Sequence, residues 1–252
     1  MINLGMVTYN VAKDWDVPTI IEMCRKTGFQ GAELRTTHAH GVELGLSAEE
    51  RAAVKRQFTD SGIVLWCLGS TCEYHAADPA IVQANVKETQ RWIELARDVG
   101  AVGVKVRPNG FVEGVAEQDT LRQIGDALRE CGEFAEEAGV RIMLEVHGRG
   151  TCEPRHIETI LRTCDHPLVG ATWNCNQEDI EGGSIAGNFE RLESWIWSAH
   201  IHDLYEDYPY HEFIGLLKGA GFDGFCLIEM PESCEPERLL QYYSRLWAEW
   251  TR

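Results

Sequence analysis

The chain is short of positive charge. Its 23 Lys and Arg face 40 Asp and Glu, for a formal net charge of −17. Binding to a phosphate backbone or an anionic lipid surface is built on clustered Lys and Arg, so neither nucleic acid nor a membrane is expected as a partner. A neutral ligand, or one bridged by a cation, fits better. Nine cysteines (24, 67, 72, 131, 152, 164, 175, 226, 234) include no CxxC pair. Several lie inside apolar runs, where a free thiol packs as a small hydrophobe, and they are expected to be reduced and buried. No apolar run reaches membrane-spanning length, and no basic segment leading into a long apolar stretch is present near Met1, so a cytoplasmic location is expected. A Walker-type glycine-rich loop is absent, as are Pro/Ser-rich linkers and low-complexity tracts.

What is present is a regular alternation. The 252 residues are 44% hydrophobic, enough for one domain of barrel size or two small ones. Short apolar or β-branched runs at 3–8, 31–35, 63–69, 102–107, 140–146, 168–173, 197–202 and 224–229 read as strands. Longer amphipathic runs follow them at 17–27, 47–60, 80–98, 117–138, 155–164, 184–195, 209–220 and 235–249. Ser47-Ala48-Glu49-Glu50 is a capping box, and Gly28, Gly62, Gly100, Gly139 and Gly221 each follow a helical run where a left-handed cap is wanted. Eight such units in this length predict an α/β fold, a (β/α)8 TIM barrel in a single domain over 1–252. A doubly wound sheet is the alternative, but it gives no reason for acids at so many strand ends.

Barrel enzymes carry their chemistry at the C-terminal strand ends. Glu145 and Glu229 end the fifth and eighth apolar runs, and His200 ends the seventh. Desolvating an ionised carboxylate is costly unless a cation or donors meet it, so these three exceptions suggest one divalent cation. Other strand ends are equally polar: Glu33 to His40 after the second, Glu73 and His75 after the third, Lys105 and Arg107 on one face of the fourth. His147 and Arg149 follow the fifth, Trp173 to Gln177 the sixth, and His202-Asp203 the seventh.

These residues resemble the xylose isomerase-like barrel family of sugar phosphate isomerases and epimerases, which is related to ketose 3-epimerases and endonuclease IV. The likeness covers the whole chain and rests on Glu145 followed by His147, on His200-Ile201-His202-Asp203, on the Gly221-Phe222-Asp223-Gly224 turn and on Glu229. It implies a metal held by Glu145, Asn174, His200 and Glu229. Asn174 departs from the family, whose Asp-x-x-His here reads Asn174-Cys175-Asn176-Gln177. Two carboxylates then match the charge of a divalent ion where the family shell has three, so affinity is expected to fall and Lewis acidity to rise. Carboxylate, amide and imidazole donors suit Mn²⁺ first, then Mg²⁺ or Co²⁺, without excluding Zn²⁺.

The resemblance implies a metal-dependent isomerase or epimerase of a sugar or cyclitol that abstracts a proton next to a carbonyl through a stabilised ene-diolate. Glu145 and Glu229, each with one free oxygen, are the expected base and acid. Candidate substrate-binding residues are His38, His40, Lys105, Arg107, His147, Arg149, Trp173 and His202, with Trp15 and Trp66 as further apolar faces for a sugar ring. Lys105 and Arg107 equally suit ion pairs with Glu33 or Glu73, and His38 and His40 equally suit ordinary loop roles. Trp92, Trp195, Trp197, Trp247 and Trp250 are expected to pack, and Glu133 to Glu137 to form a solvated helix face. Alternatives are a lyase or hydratase acting on a keto-sugar, and a non-catalytic sugar-binding subunit. A repair endonuclease is disfavoured by the acidic balance and by too few further His, Asp and Glu for a three-metal cluster. The Trp-bearing run Leu239 to Trp250 is the candidate face for a homo-oligomer.

Overall fold

A computed structural model describes residues 2–252. Eight parallel strands pair in chain order and close on themselves: β1 (Asn3–Asn10), β2 (Gly31–Arg35), β3 (Val64–Glu73), β4 (Gly103–Arg107), β5 (Arg141–Glu145), β6 (Val169–Trp173), β7 (Ile196–Ile201) and β8 (Phe225–Met230). Eight helices cover the outside: α1 (Val17–Thr27), α2 (Ala48–Ser61), α3 (Pro79–Val99), α4 (Glu117–Ala138), α5 (Pro154–Cys164), α6 (Ala186–Leu192), α7 (Tyr210–Gly219) and α8 (Pro236–Trp250). The fold is the (β/α)8 barrel that the alternation predicts. Among the described residues, no helix is long and apolar enough to cross a membrane.

Local chemistry sets the element ends. Ser47 and Glu50 form the capping box of α2, and Asp16 and Asp78 cap α1 and α3. Two elements differ from expectation by more than two residues at one end. The helix expected over 184–195 is the short α6 followed by a 3₁₀ turn at Glu193–Trp195, which tightens the chain for entry into β7. Strand β3 runs past residue 69 to Glu73, because a register shift beyond Gly69 lets Glu73 pair opposite Arg107.

Alternate strand residues divide the core in two. Leu34, Val104, Ile142, Ala171, Ile201 and Ile228 face outward into the main core under the helices. The inward set forms a separate floor of Val7, Trp66, Met143, Phe225 and Leu227, with Trp197 packed against it. Glycines make room for those rings: a Cβ on Gly31 or on Gly170 would stand 2.5 Å from Phe225 or Trp197 respectively. Above the floor, Thr172 and Ser198 hydroxyls meet at 2.9 Å and begin a polar layer.

This arrangement corrects three expectations about tryptophan. Trp66 lies buried in the floor, its ring 4.9 Å from that of Phe225, and offers no face to a sugar. Trp173 is fully buried on the outer side of β6, where its ring stacks on Phe213 at 6.0 Å. Trp15 lines an outer groove with Met23 and Pro236. In α8, Trp247 is buried against the chain's own barrel and Trp250 lies 4.2 Å from the His211 ring, leaving Tyr242 and Leu246 as its exposed apolar residues. All nine cysteines are free; eight are buried and Cys234 is exposed.

If the glycines exist to admit the floor rings, Gly170→Ala forces Trp197 to shift and should destabilise the protein by about 1–3 kcal/mol. Thermal unfolding checks this, and an unchanged melting temperature would mean that the floor has slack.

Candidate metal centre

At the C-terminal ends of the strands the inward row changes from apolar to charged. Glu145 is the last residue of β5, and His200 and Glu229 are next to last in β7 and β8. One ligating atom from each of the three lies within 4.8 Å of the others. A cation held at about 2.0–2.2 Å from each donor requires only a modest contraction of that set. Lys105 reaches in from β4 and puts Nζ 2.6 Å from Glu145 Oε2. Glu33, in β2 and 1% exposed, completes the cluster by meeting His200 Nε2 at 3.2 Å with Oε2.

The two histidine nitrogens have separate tasks. Nε2 is tied to Glu33, whereas Nδ1 lies 3.3 Å from Glu145 Oε1 and 3.7 Å from Glu229 Oε2 without a hydrogen-bond partner. A carboxylate behind one ring nitrogen fixes the ring and makes the other a better metal donor. Burial alone would lower the His200 pKa, but Glu33, Glu145 and Glu229 outweigh it and raise the pKa to about 10. Burial also opposes ionisation of Glu145, yet Lys105 and His200 hold it well below the usual carboxylate range. In Glu229 burial prevails and the pKa is raised. Lys105 is raised despite its burial, by Glu145 and Glu33.

Asn174 follows β6 directly. Its Nδ2 donates to Asn176 Oδ1 at 3.3 Å, and its buried Oδ1 has no protein partner. A neutral oxygen left unpartnered in this way is the behaviour expected of a ligand atom, so the residue types and the orphaned atoms both fit a divalent ion. Asn176 also donates to Val146 O at 2.6 Å and thereby ties the end of β6 to the end of β5. Behind it, buried Asp179 accepts from Asn176 N at 2.8 Å and from the Tyr208 hydroxyl at 3.0 Å, and Tyr208 accepts from Trp173 Nε1 at 2.8 Å.

The remaining candidates spread around the mouth. His38 stacks on Tyr9 and bonds Thr8 Oγ1 at 2.9 Å. The expectation that His40 binds substrate is corrected, because its ring is buried with Nε2 on Arg35 O at 2.8 Å and Nδ1 accepting from Val42 N at 3.0 Å. Arg107 is the ion-pair partner of Glu73, which also accepts from Asn109 at 2.6 Å. The expected free oxygen on Glu145 is also corrected: Lys105 holds Oε2. His202 is half-buried, with Nε2 3.9 Å from Glu229 Oε2. His147 is half-buried and Arg149 exposed, and neither side chain makes a hydrogen bond or ion pair with another of the described residues. Arg149 occupies a tight turn in which a Cβ on Gly148 would overlap Asn109 O at 1.6 Å.

The role of Glu33 as partner of His200 was missed in the sequence, although a carboxylate inside the apolar run Gly31–Arg35 is the same signal that marks Glu145. Asn176, Asp179 and Tyr208 carry no such signal, since they sit in loops where polar residues are ordinary.

The family model for xylose isomerase-like TIM barrels matches residues 21–249. The chain belongs to that family. Among solved structures, it superposes on 3-keto-D-glucoside 4-epimerase from E. coli with TM-score 0.81 at 15% identity, covering 99% of each chain. D-psicose 3-epimerase with D-tagatose from Clostridium cellulolyticum H10 gives 0.84 at 15% identity, also covering 99% of each. The IolI protein with a bound zinc atom gives 0.78 at 17% identity, covering 99% of this chain and 96% of that one. At these identities the likeness to each is one of fold. No curated protein matches the chain in sequence.

Asp179 makes the β6 and β7 ends sensitive to pH. Burial raises its pKa to about 7, and the Tyr208 bond only partly offsets this. The unfolded chain releases that proton near about pH 3.9, so the associated stability is complete below that value and is lost as pH rises through about 7. Asp179→Asn, which cannot ionise, should gain in melting temperature over the parent protein by a few °C between about pH 5 and about pH 8. A difference that stays constant with pH would show that Asp179 is already ionised across that range.

Proposed function

We propose that this protein is a divalent-metal-dependent isomerase or epimerase of a sugar or cyclitol, acting on the carbon next to a carbonyl. The observation that carries the reading is the convergence of Glu145, His200 and Glu229 at one end of the barrel, with buried Nδ1 of His200 and buried Oδ1 of Asn174 left without a protein partner. The activities named for structures of the same fold, a 4-epimerase of a keto-glucoside and a 3-epimerase of a ketose, support it, as does zinc bound in a third. Glu145, His200, Glu229 and the Asn174 oxygen would hold the ion, with Mn²⁺ the best match to the donors and Mg²⁺, Co²⁺ or Zn²⁺ also suited. When bound, the ion would supply a Lewis acid to the substrate's carbonyl.

The chain's own groups handle the proton. Glu229 is 23% exposed at its side chain and approaches His200 no closer than 3.7 Å, beyond hydrogen-bond distance, so it is the carboxylate free to take a proton from the substrate carbon. Glu145 faces the same point with Oε1 while Lys105 orients it through Oε2. The Lys105 ammonium beside it is a fixed positive charge that would favour negative charge growing on the substrate as the carbon is deprotonated. His202 beside Glu229, together with His147 and Arg149 on the mouth, would orient hydroxyls.

The Lys105 bond to Glu145 also favours a second reading. Epimerisation wants a proton carrier on each face of the carbon, whereas elimination from a keto-sugar or hydration wants one base and a cation at the leaving oxygen. Product analysis on a free ketose and on a 3-keto-glucoside separates them: an epimer or isomer supports the first reading, and an unsaturated or hydrated product supports the second.

Glu229→Gln should lower kcat by about 10²–10⁴-fold with the fold intact. Full activity would end the assignment of Glu229 as the proton carrier. Chelation with EDTA should abolish turnover and Mn²⁺ or Co²⁺ restore it; turnover that survives complete metal removal overturns the metal-dependent reading. Asn174→Asp should tighten Mn²⁺ binding measured by calorimetry, since it adds a carboxylate to the shell, and an unchanged affinity would show that residue 174 is not a ligand.

A further inference from the structure

We propose that Lys105 is a resident cation of this centre, whose ammonium weakens the binding of a divalent ion and holds the metal-free barrel mouth together. The inference rests on the metal reading above and deepens it. Three carboxylates, Glu33, Glu145 and Glu229, crowd the inward ends of β2, β5 and β8, where Glu33 and Glu145 are almost wholly shielded from water. Left alone, such a group of like charges would drive the strand ends apart or take up protons. Lys105, itself 7% exposed, contacts Glu145 directly at 2.6 Å. His200 meets all three carboxylates through its two ring nitrogens, and His202 approaches Glu229.

Counting charge gives the direction of the effect. With His200 counted as neutral, as a metal-ligating imidazole must be, three carboxylates less one ammonium leave two negative charges, which a single divalent ion closes. An aspartate at position 174 would add a third, but Asn174 adds none. Lys105 and Asn174 therefore act in the same sense, each removing one unit of attraction for the ion. The geometry shows how Lys105 does so without occupying the site. It draws on Oε2 of Glu145, while Oε1 remains turned toward His200 Nδ1 at 3.3 Å. The ion must bind a carboxylate already partly neutralised by a neighbour that stays in place.

This role predicts the opposite of ordinary damage. If Lys105 merely props Glu145 in position, replacing it loosens a ligand and weakens metal binding. If it is a competing charge, removing it strengthens binding. Calorimetric titration of the metal-free protein with Mn²⁺ should show tighter binding by about ten-fold or more in both Lys105→Gln and Lys105→Met. Melting temperatures without metal should fall in both variants and be recovered when Mn²⁺ is added. Lys105→Gln removes the charge while keeping an amide donor on a side chain one atom shorter, so it carries the test should Lys105→Met fail to fold. Binding in the variants where the parent protein shows none also supports the proposal. Mn²⁺ binding by the parent that is unchanged or weaker in the variants overturns it while leaving the metal reading standing. Absence of Mn²⁺ binding in the parent and both variants overturns the metal reading and this proposal together.

Discussion

The contact on which the site depends is the 2.6 Å pair between Lys105 and Glu145, set inside a cluster that also contains Glu33, Glu229 and His200. Buried charges survive only when each has a partner of opposite sign or a donor, and breaking one pair leaves its mate uncompensated. Here the partners come from five different strands, β2, β4, β5, β7 and β8. The barrel brings them together because inward positions on parallel strands recur every second residue. The cluster is therefore a property of the closed sheet and not of any one segment.

The lower half of the barrel makes this arrangement tolerable. Trp66, Phe225, Trp197, Met143 and Leu227 fill the floor with apolar side chains, and glycines on neighbouring strands give the rings their space. Burial there stabilises the closed sheet at roughly 25 cal/mol for each Å² removed from water. The upper half can then hold charged groups at positions the floor does not need to fill with apolar side chains. The separation of a packed floor from a charged mouth is the division between stability and chemistry that this fold permits.

At the mouth, side chains hold the loops after β6 and β7, the first of which also contains a 3₁₀ turn at Gln177–Asp179. Asn176 bonds Val146 O and Asn174, Asp179 gathers Asn176 and Tyr208, and Tyr208 receives the indole of Trp173. The outward-facing Trp173 thus anchors the loop that presents Asn174 inward. A network of this kind keeps the amide oxygen at 174 in one orientation, which matters more for an amide ligand than for a carboxylate with two equivalent oxygens.

Some of this was legible in the chain. Eight alternating runs, their capping residues and the acids that interrupt apolar strands depend on local pattern alone, and they marked the barrel and the Glu145, His200 and Glu229 trio. The pairing of Lys105 with Glu145 and of Glu33 with His200 joins residues 40 and 167 positions apart, and only closure of the barrel selects those partners from several acids of equal promise. Tertiary structure likewise decided the fates of Trp66, Trp173 and His40, because an aromatic or imidazole ring near a strand end has the same sequence signature whether it faces the floor, the helices or the mouth. Periodicity determines which residues can share a face; which face meets water, and which charge meets which, follows from the packing of the whole sheet.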